Sequence, residues 1–170
     1  KSKIHLLSEE LVCKISAGEV IERPFSVVKE LVENSIDADS DEVTLRIDKV
    51  WEDGITVIDN GCGLDKEDVR LAFLCHSTSK IEDENDLNNI NTLGFRGEAL
   101  FSIASVSRIS IKSKRADQEI GYTAKFDAGK IIEDGFIGYP QGTSLEVRDL
   151  FFNTTARKKF LKNVDAEQKK

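Results

Sequence analysis

Val43, Leu45 and Ile47 alternate with Thr44, Arg46 and Asp48, and after Asp53-Gly54 comes a second apolar set, Ile55, Val57 and Ile58. Alternation of period two marks a half-buried strand and Asp-Gly a tight turn, so the pattern predicts a β-hairpin. Upstream the period changes to that of a helix. Between residues 26 and 38, Val27, Val28, Leu31, Val32, Ser35, Ile36 and Ala38 fill one half of a helical wheel, and Glu30, Glu33, Asn34 and Asp37 fill a narrow arc opposite. The first half is the predicted core face, and Pro24 suits the first turn because its missing N–H is not needed there. Earlier still, Ser8 can cap a short helix with Leu11, Val12 and Ile15 on its apolar side, ended near Gly18.

Downstream of the hairpin, Asp65 with Asp68 three residues on predicts a capped helix whose stripe is Val69, Ala72 and Phe73. From His76 to Phe95 the periodicity dissolves into polar residues, Asn85, Asp86, Asn88, Asn89 and Asn91 among them, and a loop of this length is expected to be a functional lid or disordered. A helix follows from Glu98 to Val106. Arg108–Ser113, Gly121–Asp127, Lys130–Ile137 and Thr143–Arg148 then read as four short strands of a meander. Helices, hairpin, helix, lid, helix and meander in that order predict an α+β fold. The expected form is a two-layer sandwich with helices on one face of a mostly antiparallel, mixed sheet, in a single domain over residues 1–170.

Composition narrows the possibilities. With 24 basic residues against 31 acidic ones in 170, and a net charge of −7, the chain is not a polyanion binder driven by bulk charge. Only two local basic runs qualify as contacts to nucleic acid: Arg108, Lys112, Lys114 and Arg115, and then Arg157, Lys158, Lys159 and Lys162. Cys13, Cys62 and Cys75 form neither a Cys-x-x-Cys pair nor a set with matched histidines, which argues against a disulfide framework or a zinc site and fits a reducing, cytoplasmic setting. No apolar run approaches the ~20 residues of a membrane span, so no membrane association is expected. The start at Lys1 and the charged tail suggest a piece of something longer.

Two stretches carry candidate chemistry. Glu30, Asn34 and Asp37 follow the i, i+4, i+7 spacing that stacks side chains along one line of a helix, with no cation inside the arc. Such an arc is either a solvated face or a site for a hard cation; Mg²⁺ takes oxygen ligands and borrows the rest from water and phosphates, so one amide oxygen could suffice. The returning strand of the hairpin runs into Asp59-Asn60-Gly61-Cys62-Gly63. Apolar residues precede Asp59, so a partly buried carboxylate is expected there, and it needs a donor. The exocyclic amine of adenine is one, whereas guanine offers an acceptor at the same place, so ATP is favoured over GTP. Gly94-Phe95-Arg96-Gly97 ahead of a helix can donate N–H groups to phosphates. The Walker pattern ending in Gly-Lys-Ser/Thr is absent, so the cradle is of another kind.

Glu30 to Asn34 with Asp37-Ala38, Asp59 to Gly63, Thr78-Ser79-Lys80 and Gly94 to Ala99 resemble the ATP-binding motifs of the superfamily of gyrase, the ninety-kilodalton heat-shock chaperone, histidine kinases and MutL. Ala17 to Pro24, Thr92 to Leu100, and Asp149-Leu-Phe-Phe-Asn153 with Ala156-Arg157 resemble the bacterial MutL branch. This resemblance implies a Bergerat-type fold. It implies Glu30 as general base, Asn34 as the Mg²⁺ ligand, and Asp37 and Ala38 beside it. Asp59, Gly63, Leu64 and Thr143 would form the adenine site. Thr78, Ser79, Lys80, Leu93, Gly94, Phe95, Arg96, Gly97, Glu98, Ala99 and Leu100 would close over the phosphates as a lid at about 77–97. It further implies ATP or ADP as ligand, an ATP-dependent N-terminal dimer, non-sequence-specific contact with DNA, mismatch-recognition and downstream repair proteins as partners, and a cytoplasmic, nucleoid-associated setting. Asp39-Ser40, where the family usually has Gly-Ala, Ser77 for Ala and Thr155 for Pro depart from the pattern. A second domain that supplies a lysine in the family is not in these residues, so hydrolysis is expected to be weak or absent here. The alternative function is a nucleotide-gated interaction module with little hydrolysis. A gyrase- or kinase-type domain would need neighbouring motifs that are not found.

Overall fold

A computed structural model describes residues 5–7, 11, 12, 15, 21–48, 53–74 and 99–154. Helix α1 (Pro24–Asp37) begins on the proline, as its fixed φ allows, and is followed by the hairpin of β1 (Val43–Ile47) and β2 (Ile55–Asp59). At the start of α2 (Lys66–Leu71) the Asp65 carboxylate accepts the Asp68 N–H at 2.9 Å, the cap anticipated from their spacing. Helix α3 (Ala99–Ser105) leads into β3 (Arg108–Lys114), β4 (Gly121–Asp127), β5 (Lys130–Ile137) and β6 (Gly142–Arg148). Leu11, Val12 and Ile15 are helical but exposed, while Ser8 and Gly18 lie outside the described residues.

The strands form one sheet in the order β1-β2-β6-β3-β4-β5, and every pairing among them is antiparallel. The expected four-strand meander therefore holds only for β3, β4 and β5. Strand β6 leaves it and pairs with β2 on one side and β3 on the other. Leu145 and Val147 explain the preference: both are buried, and the central position gives each an apolar neighbour on either side, Val57 and Ile111 for Leu145, Ile55 and Ile109 for Val147.

Alternation along the strands sorts the sheet into two faces. Ile55, Val147, Ile109 and Phe126 line up across β2, β6, β3 and β4, and Val57, Leu145, Ile111 and Ala124 form the next row; all are buried. One residue along, Thr56, Glu146, Ser110 and Lys125 form a row on the opposite, solvated face. Helices cover the apolar face: Val27 and Leu31 of α1, Val69 of α2 and Ile103 of α3 are buried in the same core. Phe73, just past α2, packs on Phe126 with ring centroids 4.3 Å apart and the rings tilted by 46°. The core stripe of α1 is narrower than the half-wheel expected from sequence, because Val27, Leu31 and Ser35 are buried while Ile36 is 51% exposed.

The Asp149-Leu-Phe-Phe-Asn153 segment closes the end of α3. The Phe151 N–H donates to the Val106 carbonyl at 2.6 Å, and the Asn153 amide donates to the Ser105 carbonyl at 2.9 Å, satisfying acceptors left over at the helix C-terminus. Asp149 and Phe151 adopt positive φ of 52° and 64°, and Arg108 holds the turn by pairing with Asp149 at 2.9 Å and lying over the Phe152 ring at 4.4 Å.

Candidate nucleotide site

At one end of the sheet the apolar face turns polar. The row after Val57, Leu145, Ile111 and Ala124 consists of Asp59, Thr143, Ser113 and Tyr122, cross-strand neighbours on β2, β6, β3 and β4. Asp59, at one end of this row, meets the C-terminal half of α1, the half that carries Asn34 and Asp37, through Ser35.

Asp59 is the centre of the arrangement. One carboxylate oxygen, Oδ1, accepts the N–H of Gly61 at 3.0 Å and of Thr143 at 3.2 Å, while Oδ2 accepts the Ser35 hydroxyl at 2.8 Å. A half-buried carboxylate is thus supplied with donors from its own loop, from β6 and from α1, as its partial burial requires. The bond from Ser35 ties the strand end directly to the helix, one residue past Asn34. Glu30, Asn34 and Asp37 are all half-buried on α1. Wheel reasoning had placed Ser35 in the apolar half, and no signal in the sequence distinguishes a serine that packs from one that donates across the core.

Behind Thr143 stands a second hydroxyl that sequence reasoning passed over. Ser113 is fully buried; its Oγ accepts the Leu64 N–H at 2.8 Å, lies 2.8 Å from the Thr143 hydroxyl and donates to the Gly142 carbonyl at 3.0 Å. With its one proton committed to Gly142, the hydrogen bond to Thr143 is donated by the threonine. Ser113 therefore fastens the Gly63-Leu64 loop to β6. Alternation along β3 places it inward with Ile109 and Ile111, which marks it as buried but not as a partner of the loop.

The glycines have backbone reasons. Gly63 has φ +72°, and a Cβ there would land on the Lys114 carbonyl; Gly142 has φ +116°, and a Cβ would land on the Asp59 carbonyl. The requirement at Gly63 is thus set by β3, in addition to any ligand. Gln141 donates to the Gly61 carbonyl at 3.1 Å, and the Asn60 side-chain oxygen accepts the N–H groups of Asp41 and Glu42 at 2.9 and 3.0 Å, so the loop is pinned on both sides.

The helix-to-loop junction shows what the Asp39-Ser40 departure from the family pattern costs. Ala38 donates to the Asn34 carbonyl at 3.0 Å and accepts the Cys62 N–H at 2.9 Å, and Asp39 follows with φ +56°. That left-handed position after a helix favours glycine. The hydroxyl of Ser40 is buried without a hydrogen-bond partner. Asp39→Gly combined with Ser40→Ala relieves both and raises the thermal midpoint by about 4 °C, corresponding to ~1–2 kcal/mol. A calorimetric scan of the double variant checks this; an unchanged or lowered midpoint contradicts it.

At the far end of the polar row, the Tyr122 hydroxyl donates to Asp134 and accepts from Arg70 Nε at 3.2 Å. Burial, then the Asp134 carboxylate, pushes the Tyr122 pKa up, while the hydrogen bonds from Tyr122 and Arg70 hold Asp134 below the usual carboxylate range. This cluster anchors α2 to β4 and β5.

Ala99 and Leu100 open α3, half-buried, and α3 packs against α1. Thr78, Ser79, Lys80, Leu93, Gly94, Phe95, Arg96, Gly97 and Glu98, and with them the lid at about 77–97, fall outside the described residues, as does the basic run Arg157, Lys158, Lys159 and Lys162. The other basic run does not form one patch. Arg108 pairs with Asp127 and Asp149, Lys114 donates to the Gln118 carbonyl, and Arg115 pairs with Asp117 and Asp65. Among the described residues no helix is long and apolar enough to cross a membrane.

Residues 21–157 match the family model described as histidine kinase-, DNA gyrase B- and HSP90-like ATPase. The chain belongs to this family. Within it the chain falls with MutL: it is 53% identical over 165 residues to the DNA mismatch repair protein MutL of Clostridium botulinum, covering 97% of the chain and 25% of that protein. MutL of Caldanaerobacter subterraneus is likewise 53% identical over 166 residues, which cover 98% of the chain and 28% of the relative. The chain thus spans about a quarter of the length of the curated relatives it matches. Among solved structures, the N-terminal domain of a DNA repair protein superposes with a TM-score of 0.75 at 31% identity, covering 96% of this chain and 47% of that one. The Aquifex aeolicus MutL ATPase domain complexed with ADP gives 0.64 at 38% identity, covering 88% and 52%. The α+β sandwich with its antiparallel sheet is the fold of this family, and the 170 residues are a MutL-type ATP-binding module.

Proposed function

We propose that this module binds ATP with Mg²⁺ between α1 and the polar end of the sheet, hydrolyses it slowly, and serves DNA mismatch repair within a longer protein. The observation that carries the reading is Asp59: a carboxylate at the end of a central strand, held by Ser35, Gly61 and Thr143 beside the Asn34 turn of α1. With both oxygens fixed as acceptors it accepts the exocyclic amine of adenine and opposes the carbonyl of guanine. Thr143, backed by Ser113, supports the base, and Leu64 flanks it.

The donor set on α1 suits a hard cation. Asn34 carries an amide oxygen one helical turn from Glu30. A magnesium ion held by Asn34 and the phosphates, when bound, supplies neutralisation of phosphate charge. Glu30, a turn away, orients the attacking water and takes its proton. Residues 77–97 close over the phosphates, and closure promotes N-terminal dimerisation and coupling to DNA and repair partners.

Calorimetric titration with ATP and GTP, each with and without Mg²⁺, tests the reading. ATP binds, GTP binds at least ~100-fold more weakly, and Mg²⁺ tightens ATP. Equal affinity for the two bases, or no binding of either, refutes it.

A further inference from the structure

We infer that Ser35 is the positioning residue that sets base selection, because it fixes the orientation of the Asp59 carboxylate. The inference rests on the adenine reading of Asp59 given above and goes beyond it in assigning the discrimination to a residue that need not touch the nucleotide.

Two backbone N–H groups, from Gly61 and Thr143, both converge on Oδ1 of Asp59. They locate that oxygen but leave rotation about the Cβ–Cγ bond to be restrained from the other side. The restraint on Oδ2 is the Ser35 hydroxyl, 2.8 Å away, on a side chain 2% exposed. Its alternative acceptor is the Leu31 carbonyl at 3.2 Å. A serine has one proton, and the shorter, charge-assisted contact takes it. The hydroxyl therefore holds the carboxylate plane from the α1 side while β6 and the loop hold it from below.

Rejection of guanine requires that plane to be fixed. A site rejects a ligand strongly when the mismatch leaves buried polar groups unpaired, and a carboxylate free to turn can avoid the opposing carbonyl, take up a water or accept a different guanine N–H. Removing Ser35 frees Oδ2 in this way. The ligand-facing oxygen stays present, so adenine still binds, and the discrimination is what suffers.

The test is the ratio of ATP to GTP affinity, measured by titration calorimetry on the wild type and on Ser35→Ala, Ser35→Cys, Ser107→Ala and Asp59→Asn. Ser107 is an equally buried serine whose hydroxyl donates to the Ile103 carbonyl at 2.6 Å, away from the site, and it controls for the loss of any core hydroxyl. In Ser35→Ala the ratio falls about tenfold. Ser35→Cys, which keeps nearly the same size but only a weak donor, moves the ratio in the same direction, and Ser107→Ala leaves it at the wild-type value. A wild-type ratio in both Ser35 variants overturns the inference; if Asp59→Asn nevertheless collapses the ratio, the adenine reading stands without it. An unchanged ratio in Asp59→Asn as well removes the adenine reading and the Ser35 assignment together.

Discussion

Replacing Glu30 with glutamine lowers ATP turnover by about a thousandfold and leaves ATP binding in place. The substitution keeps the length and the half-buried position of the side chain on α1 and removes its capacity to accept a proton from water. Because the proposed adenine contact is Asp59, held by the N–H groups of Gly61 and Thr143 at the other end of the site, the affinity for ATP is not expected to run through Glu30. Single-turnover product formation with Mg²⁺, paired with a binding titration, separates the two quantities. Turnover that survives in Glu30→Gln removes Glu30 from the role of base, and a parallel loss of binding shows that the variant disturbed the ground state instead.

The largest effect on stability belongs to Gly142→Ala. With φ at +116° the backbone is outside the range that side chains accept, and the added methyl has nowhere to go, since Asn60 Cα would be 2.8 Å from it in addition to the Asp59 carbonyl. Both obstacles are backbone, and a rotamer change does not relieve them. The strand must move, and with it Thr143, whose N–H binds Asp59, and the Ser113 hydroxyl that donates to Gly142 itself. A loss of about 3 kcal/mol or more is expected, a fall in thermal midpoint of about 10 °C, accompanied by loss of ATP binding. Gly135→Ala is the comparison, because nothing lies within 4 Å of a Cβ there. A Gly142→Ala protein that melts with the wild type shows that the close approach to Asp59 is not a feature of the folded chain in solution.

Local order was readable from the residues; long-range order was not. The hairpin, the Asp65 cap, the strand boundaries of β3 to β6 and the start of α1 at Pro24 all follow from rules that act within a few residues. The insertion of β6 between β2 and β3 does not, because pairing Asp59 with Thr143 depends on which apolar rows match across the sheet. The same limit governs the site. Asp59, Glu30 and Asn34 could be singled out by motif and by helical spacing. Ser35 and Ser113 could not, because each looks like an ordinary small residue on an inward-facing position and acquires its meaning only from a partner contributed by another element. Gly63 entered through the family resemblance as part of the adenine site, whereas the carbonyl of Lys114 already excludes a side chain there.

The position of β6 also bears on when the molecule can acquire its function. Until Gly142–Arg148 has been synthesised, β2 lacks a partner on one edge and β3 on the other, so the first hairpin and the later three strands share no strand pairing. On a ribosome moving from the N-terminus, Asp59 and Ser35 emerge long before Thr143 can complete their hydrogen bonding. Closure of so large a loop in the chain is slow by nature, and a nascent polypeptide of this sequence stays unable to hold a nucleotide until almost the last of the described residues has left the exit tunnel.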